Sequence, residues 1–121
     1  MTPNNTYLAV FVGSSSSPQR VAWDALPESE RRVKERAGIA AWHAWMQTHQ
    51  AAIVAVGGPL GKTKKVSAEG IHDTRNHMGG YTVIRADSHE AAARLFVDHP
   101  HFSIFPGECV EIMPVLDIPG G

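Results

Sequence analysis

Apolar and polar residues divide the chain into strand-like and helix-like segments. Residues 7–12 are apolar at every position, which is typical of a strand covered on both faces in the middle of a sheet. Residues 52–56 and 81–86 are rich in β-branched side chains and residues 108–113 alternate, so these segments predict three further strands. We expect Gly57-Gly58-Pro59 to end the second strand.

A long helix is predicted from Pro27 to about His49. Proline suits the first turn of a helix, and the acidic residues Glu28 and Glu30 suit the positive end of the helix dipole. At about 100° per residue, one narrow stripe of this helix contains Glu35, Ile39, Trp42, Met46 and His49. We expect that stripe to face an apolar surface.

Shorter signals mark the remaining elements. Ser17 before Pro18 predicts a capped helical turn, and Asp87-Ser88 predicts the start of a second helix that Pro100 stops. Residues 61–80 are polar and predict a hairpin-like excursion. The resulting order, β-α-β-β-α-β, is that of the ferredoxin-like α+β fold. Two helices cover only one face of such a sheet, so we expect a second copy of the chain to cover the other.

Length, charge and cysteine content narrow the classes of protein. The 121 residues suit one domain, and a net charge of -1 without a long basic run argues against a nucleic-acid partner. Residues 1–6 carry no basic side chain and residues 7–12 are too few for a membrane span, so we expect a cytoplasmic protein without a membrane partner. Cys109 is the single cysteine, which fits a reducing compartment. No zinc-site spacing and no dinucleotide fingerprint occurs, so we expect no metal and no cofactor.

Several short strings together resemble the YCII-related family. They are Trp42-x-x-Trp45, Gly57-Gly-Pro-Leu-Gly-Lys-Thr63, Val66-Ser67, Gly79-Gly-Tyr81 and His99-Pro-His101, with an alanine-rich second helix. The resemblance covers about residues 7–113 and implies one YCII-related domain over residues 1–121, with its core at about 7–115. It also implies a dimeric α/β barrel, in which two sheets meet face to face and each subunit keeps a pocket between sheet and helices.

The family resemblance also implies a type of chemistry. Compact members use a histidine on the first helix and an aspartate just before a proline after the second helix, and one relative eliminates chloride from a chlorinated hydroquinone. This chain departs from that pair, because His99 precedes Pro100 and no histidine is evident where the first helix should supply one.

The densest group of titratable residues is Asp98, His99 and His101. If the second helix ends here, its carbonyl groups favour a cation, and a histidine in that position can act as general acid or base near neutral pH. The alternative is a histidine that only caps the helix. Further candidates for contacts with a ligand are Trp42, Tyr81, Lys62 and His49, for which the alternatives are core packing and a solvated turn.

The leading hypothesis is a protein that binds a small organic molecule, for which an aromatic compound is the first candidate, and transforms it by acid/base chemistry centred on His99. One alternative is a dimeric binding or accessory domain without catalysis. The other is a cofactor-free monooxygenase of the dimeric α/β barrel type, which rests on analogy of fold. The sequence does not decide whether the chain is an enzyme.

Overall fold

The computed structural model describes residues 5–120 and confirms the ferredoxin-like α+β fold. A four-stranded antiparallel sheet has the strand order β2-β5-β1-β6, and a separate two-stranded sheet is formed by β3 and β4. The strands are β1 Thr6–Val12, β2 Ile53–Pro59, β3 Thr63–Ser67, β4 Gly70–Thr74, β5 Met78–Arg85 and β6 Cys109–Pro114. The helices are α1 Pro18–Asp24, α2 Glu28–Thr48, α3 His89–Arg94 and α4 Pro100–Ser103, with a 3-10 turn at Gln50–Ala52.

The hydrophobic core lies between the helices and one face of the four-stranded sheet. The buried cluster consists of Tyr7, Ala9, Phe11, Ile84, Ala92 and Phe96, and Trp42 and Trp45 pack against it. Alternate residues of β1 therefore face the helices, as the period of a strand requires. The indole N–H of Trp45 donates to the carbonyl of Leu95 at 2.8 Å, which fixes α2 against the turn after α3.

Both predicted serine caps are confirmed. Ser17 precedes α1, and its hydroxyl accepts a hydrogen bond from the backbone N–H of Arg20 at 3.1 Å. Ser88 precedes α3, and its hydroxyl accepts from the N–H of Ala91 at 3.0 Å. Each cap supplies a partner for an N–H that the first helical turn leaves unsatisfied.

Two predicted boundaries are wrong. β2 runs through Gly57-Gly58-Pro59, because its register with β5 shifts twice and Gly57 adopts a left-handed φ of 67° at the second shift. The helix predicted to start at Asp87-Ser88 is α3, which ends at Arg94, and Pro100 begins α4 instead of stopping a helix. A proline at the first helical position loses no hydrogen bond, so the same residue can start a helix as well as end one.

The sheet face away from the helices stays partly open within the described residues. Val10 pairs with Tyr81 and Glu111, and Leu8 pairs with Val83 and Met113. Tyr81 and Met113 keep 37% and 41% of their surface exposed. The packing of a second copy against this face stays a prediction. No helix among residues 5–120 is both long enough and apolar enough to cross a membrane.

Candidate functional site

A cavity of about 540 Å³ lies between α2 and the helix-covered face of the sheet. Its wall is aromatic, and the rings that border it belong to Phe11, Trp42, Trp45 and Phe105. No aspartate, glutamate, lysine or arginine lines it within the described chain. Its volume is within the usual range for small-molecule sites, and an apolar lining with few polar groups is typical of them.

Glycines in β5 leave room beneath this cavity. A Cβ atom at Gly80 would lie 3.1 Å from the carbonyl oxygen of Gly58 and 3.5 Å from Cδ2 of Phe11. A side chain at this position would therefore occupy space at the sheet side of the cavity. Thr82, two residues along β5, also lines the cavity, and its hydroxyl donates to the carbonyl of Ala55 at 2.9 Å.

His101 is the histidine of the His99-Pro-His101 string that reaches the cavity. It lies in α4, and its Nε2–H donates to the carbonyl of Val12 in β1 at 2.8 Å. This bond leaves Nδ1 with the lone pair of the neutral ring. Burial lowers the pKa of His101, and carbonyl groups of Val12 and Cys109 oppose that effect. The ring is therefore neutral at pH 7 and can accept a proton.

His99 lies behind the cavity wall and has no exposed surface. Its Nδ1 accepts a hydrogen bond from the backbone N–H of His101 at 3.0 Å, so the side chain is the N-cap of α4. The imidazole contacts the indoles of Trp42 and Trp45 edge to face, with ring centroids 4.5 and 4.8 Å apart. Its Nε2 is buried without a hydrogen-bond partner in the described chain.

The surroundings of His99 overturn the reasoning that placed it at the C-terminus of a helix. It begins α4 instead, where the helix dipole disfavours a cation. Burial lowers its pKa to about 4, and the nearby His101 and His49 act in the same direction. A neutral imidazole with Nδ1 accepting from His101 carries its proton on Nε2.

The remaining predicted residues fall in different places. Asp98 is exposed and adopts a left-handed φ of 58°, in the turn that precedes His99. Lys62 is exposed beyond the end of β2, and neither it nor Asp98 lines the cavity. His49 follows α2, partly buried beside Trp45 at a centroid distance of 5.0 Å. Trp42 forms part of the cavity wall, and Tyr81 of β5 is also a lining residue, although its pairing with Val10 places its side chain on the sheet face away from the helices.

His43 is a cavity residue that the sequence reasoning missed. It lies on α2 between Trp42 and Trp45 and borders the cavity, so the first helix does supply a histidine. Ile39, His43 and Met46 all line the cavity and are spaced by four and three residues. A second helical stripe, beside the one centred on Trp42, would have shown this residue.

Residues 5–120 contain no group of three or more histidine, cysteine or acidic side chains arranged to hold a metal ion. The polar groups of the lining residues include the imidazoles of His43 and His101, the hydroxyl of Thr82, the indole N–H of Trp42 and backbone atoms. Such a set can orient an uncharged polar ligand and move a proton.

Comparison with solved structures gives a distant neighbour with the same fold. It is 5-chloro-2-hydroxyhydroquinone dehydrochlorinase (TftG) from Burkholderia phenoliruptrix AC1100, in complex with 2,5-dihydroxybenzoquinone. The TM-score is 0.53 at 17% sequence identity, over 92% of this chain and 93% of that one. No protein-family model matches the sequence, and no curated protein gives a significant sequence match. The comparison therefore supports the fold, and the YCII-related family stays a proposal.

Proposed function

We propose that this chain, a YCII-like domain, binds a small uncharged hydroxylated aromatic molecule in the cavity and moves a proton to or from it with His101. The observation that carries the proposal is an aromatic-walled cavity lined by the imidazoles of His43 and His101 and, within the described chain, by no acidic, lysine or arginine side chain. Aromatic walls favour planar ligands through ring contacts. A structural neighbour that acts on a chlorinated hydroquinone supports this ligand class.

His101 is assigned the proton transfer because it combines access with the right protonation state. It borders the cavity, and its bond to the Val12 carbonyl holds Nε2–H, so Nδ1 is the basic atom. The lowered pKa keeps the ring neutral at pH 7. His99 has a positioning role in this proposal, since its Nδ1 holds the backbone of His101. His43 is the second imidazole at the cavity and the candidate partner acid.

With chlorohydroquinone as a probe, the proposed step is a net loss of hydrogen chloride. One hydroxyl proton moves to the ring carbon that bears chlorine, His101 accepts the other, and the electron pair of the carbon–chlorine bond leaves as chloride. The product is benzoquinone, so atoms and electrons balance without a cofactor. The imidazolium then releases its proton to solvent.

Ligand binding and proton transfer are tested separately. Calorimetric titration should show that hydroquinone binds more tightly than cyclohexane-1,4-diol, which has the same two hydroxyls without an aromatic face. Equal affinity for the two, or no binding of either, would contradict the aromatic site.

Chloride release from chlorohydroquinone tests the base. His101→Gln keeps an N–H for the Val12 carbonyl but has no basic nitrogen, so turnover should fall by about 10²–10⁴-fold while hydroquinone binding changes little. The matched control is His72→Gln, on the exposed face of β4, which should leave turnover unchanged. Binding without any turnover by the unmodified chain would favour the accessory-domain alternative, and oxygen consumption would favour the monooxygenase.

A further inference from the structure

A groove of about 710 Å³ lies beside the cavity, between the C-terminal part of α2 and the edge strand β2. Gln47 and Gln50 line it on the helix side, and Val54 lines it on the strand side. His43, Met46 and Val56 line both the groove and the cavity. The two spaces therefore adjoin at these three side chains.

The groove depends on the irregular pairing of β2. The register pairs Ile53 with Ile84, Ala55 with Val83 and Gly58 with Tyr81, so each interval contains one extra residue of β2. Val54 and Val56 lie in these intervals and keep 48% and 59% of their surface exposed. Bulges of this kind redirect side chains at a sheet edge, and here both valines line the groove.

The lining of the groove specifies the chemistry of an occupant. It contains apolar side chains, two amides and the imidazole of His43, and no aspartate, glutamate, lysine or arginine of the described chain borders it. Apolar groups would be buried against the valines and Met46, whereas an ionic group would find no aspartate, glutamate, lysine or arginine side chain to pair with. The amides of Gln47 and Gln50 can each donate and accept hydrogen bonds.

We infer that the groove is a second subsite for the ligand of the cavity. The ligand class is a hydroxylated aromatic ring that carries an uncharged aliphatic chain, with the ring in the cavity and the chain in the groove. The chain passes His43 and Met46, and the unbranched methionine side chain can adapt to it. This inference rests on the proposed function, because the ring occupies the same cavity.

Binding of hydroquinone, 2-methylhydroquinone and 2-hexylhydroquinone tests the inference. Affinity should rise by about fourfold for each methylene group that the groove buries. Val54→Glu places a carboxylate in the groove and should remove most of this gain while leaving hydroquinone affinity unchanged. The matched control is Val66→Glu, at an exposed valine of β3 outside both spaces, which should keep the gain.

The outcomes separate this inference from the proposed function. If hydroquinone binds and the hexyl chain adds no affinity, or adds the same affinity to Val54→Glu, the groove is not a subsite and the cavity proposal stands. If neither compound binds, both proposals fail. If Val54→Glu lowers the mass of the protein in solution, the groove is an interface between copies of the chain and the inference is wrong.

Discussion

His99 and His101 are two residues apart and have different surroundings. His101 borders the cavity and bonds to the Val12 carbonyl through Nε2, whereas His99 is enclosed by aromatic rings and bonds to the backbone through Nδ1. A buried imidazole without an anionic partner is held neutral by its surroundings. His99 is therefore suited to position α4, and His101 is suited to accept a proton.

The low pKa of His99 predicts a loss of stability in mild acid. Its folded pKa of about 4 is below the ordinary value of 6.5, so between these values the unfolded chain binds the proton and the folded chain does not. The free energy of unfolding should therefore fall by about 2 kcal/mol from pH 7.5 to pH 5.0 on account of this residue. Urea unfolding at the two pH values measures it. Between the two pH values, the free energy of unfolding should fall by about 2 kcal/mol less in His99→Phe than in the wild type, and by the same amount in His72→Gln as in the wild type. An equal fall in the wild type and in His99→Phe would contradict the assignment.

The left-handed backbone at Asp98 gives a second residue-scale prediction. Aspartate tolerates this conformation better than most residues, and glycine adopts it without strain. Asp98→Gly should keep or slightly raise the free energy of unfolding, and Asp98→Ala should lower it by about 1 kcal/mol. Both variants should retain chloride release if the carboxylate takes no part in the reaction. Loss of turnover in Asp98→Gly with unchanged stability would return Asp98 to the catalytic set.

At the scale of elements, β2 shows how one glycine permits an irregular strand. A Cβ atom at Gly57 would overlap the carbonyl oxygen of Tyr81, and its φ of 67° strains other residues. Gly57→Ala should therefore lower the free energy of unfolding by about 1–3 kcal/mol. Gly61→Ala is the control, because nothing lies within 4 Å of its Cβ position and it should change stability little. Equal melting temperatures for the two variants would contradict this prediction, because they would show that the bulge accommodates a side chain at position 57 without loss of stability.

The same elements show what the sequence could predict. The apolar run of β1 and the serine caps of α1 and α3 are local signals, and the structure confirms them. The two strand bulges depend on pairing with β5, and the helix start at Pro100 depends on the N-cap that His99 provides. Local sequence rules predict neither the bulges nor this helix start, because Gly-Gly-Pro indicates the end of a strand and a residue before proline indicates the end of a helix. His101 was among the predicted candidates, but only the folded chain separates it from His99.

At the scale of the whole molecule, the open sheet face carries the expectation of a dimer. Leu8 and Met113 are cross-strand neighbours on this face, and Met113 keeps 41% of its surface exposed. Exposed apolar side chains on a sheet face are unfavourable in water, and packing them against a copy of the same face would remove that cost. The order of elements in the sequence was enough to predict that one sheet face is uncovered. The surface that packs against this face could not be predicted in the same way, because that contact forms between two chains.

Light scattering at micromolar concentration tests the dimer. We expect a mass near twice the 13.1 kDa of the monomer. Met113→Glu places a charge on the open face and should shift the mass toward the monomer, because a buried unpaired carboxylate is costly. Val33→Glu, at an exposed position of α2 with 62% of its surface accessible, is the control and should keep the mass. A folded monomer in the unmodified chain would exclude the pairing.

The bulges of β2 also bear on how the molecule avoids aggregation. β2 is an outer strand of the sheet, and its sequence Ile53-Val-Ala-Val56 has the β-branched, uncharged character of segments that add to other sheets. A continuous row of unpaired N–H and C=O groups would be a template for another chain. The two register shifts interrupt this row, and Pro59 removes an N–H from its end. The irregular pairing that places both valines at the groove therefore also protects this edge from polymerisation.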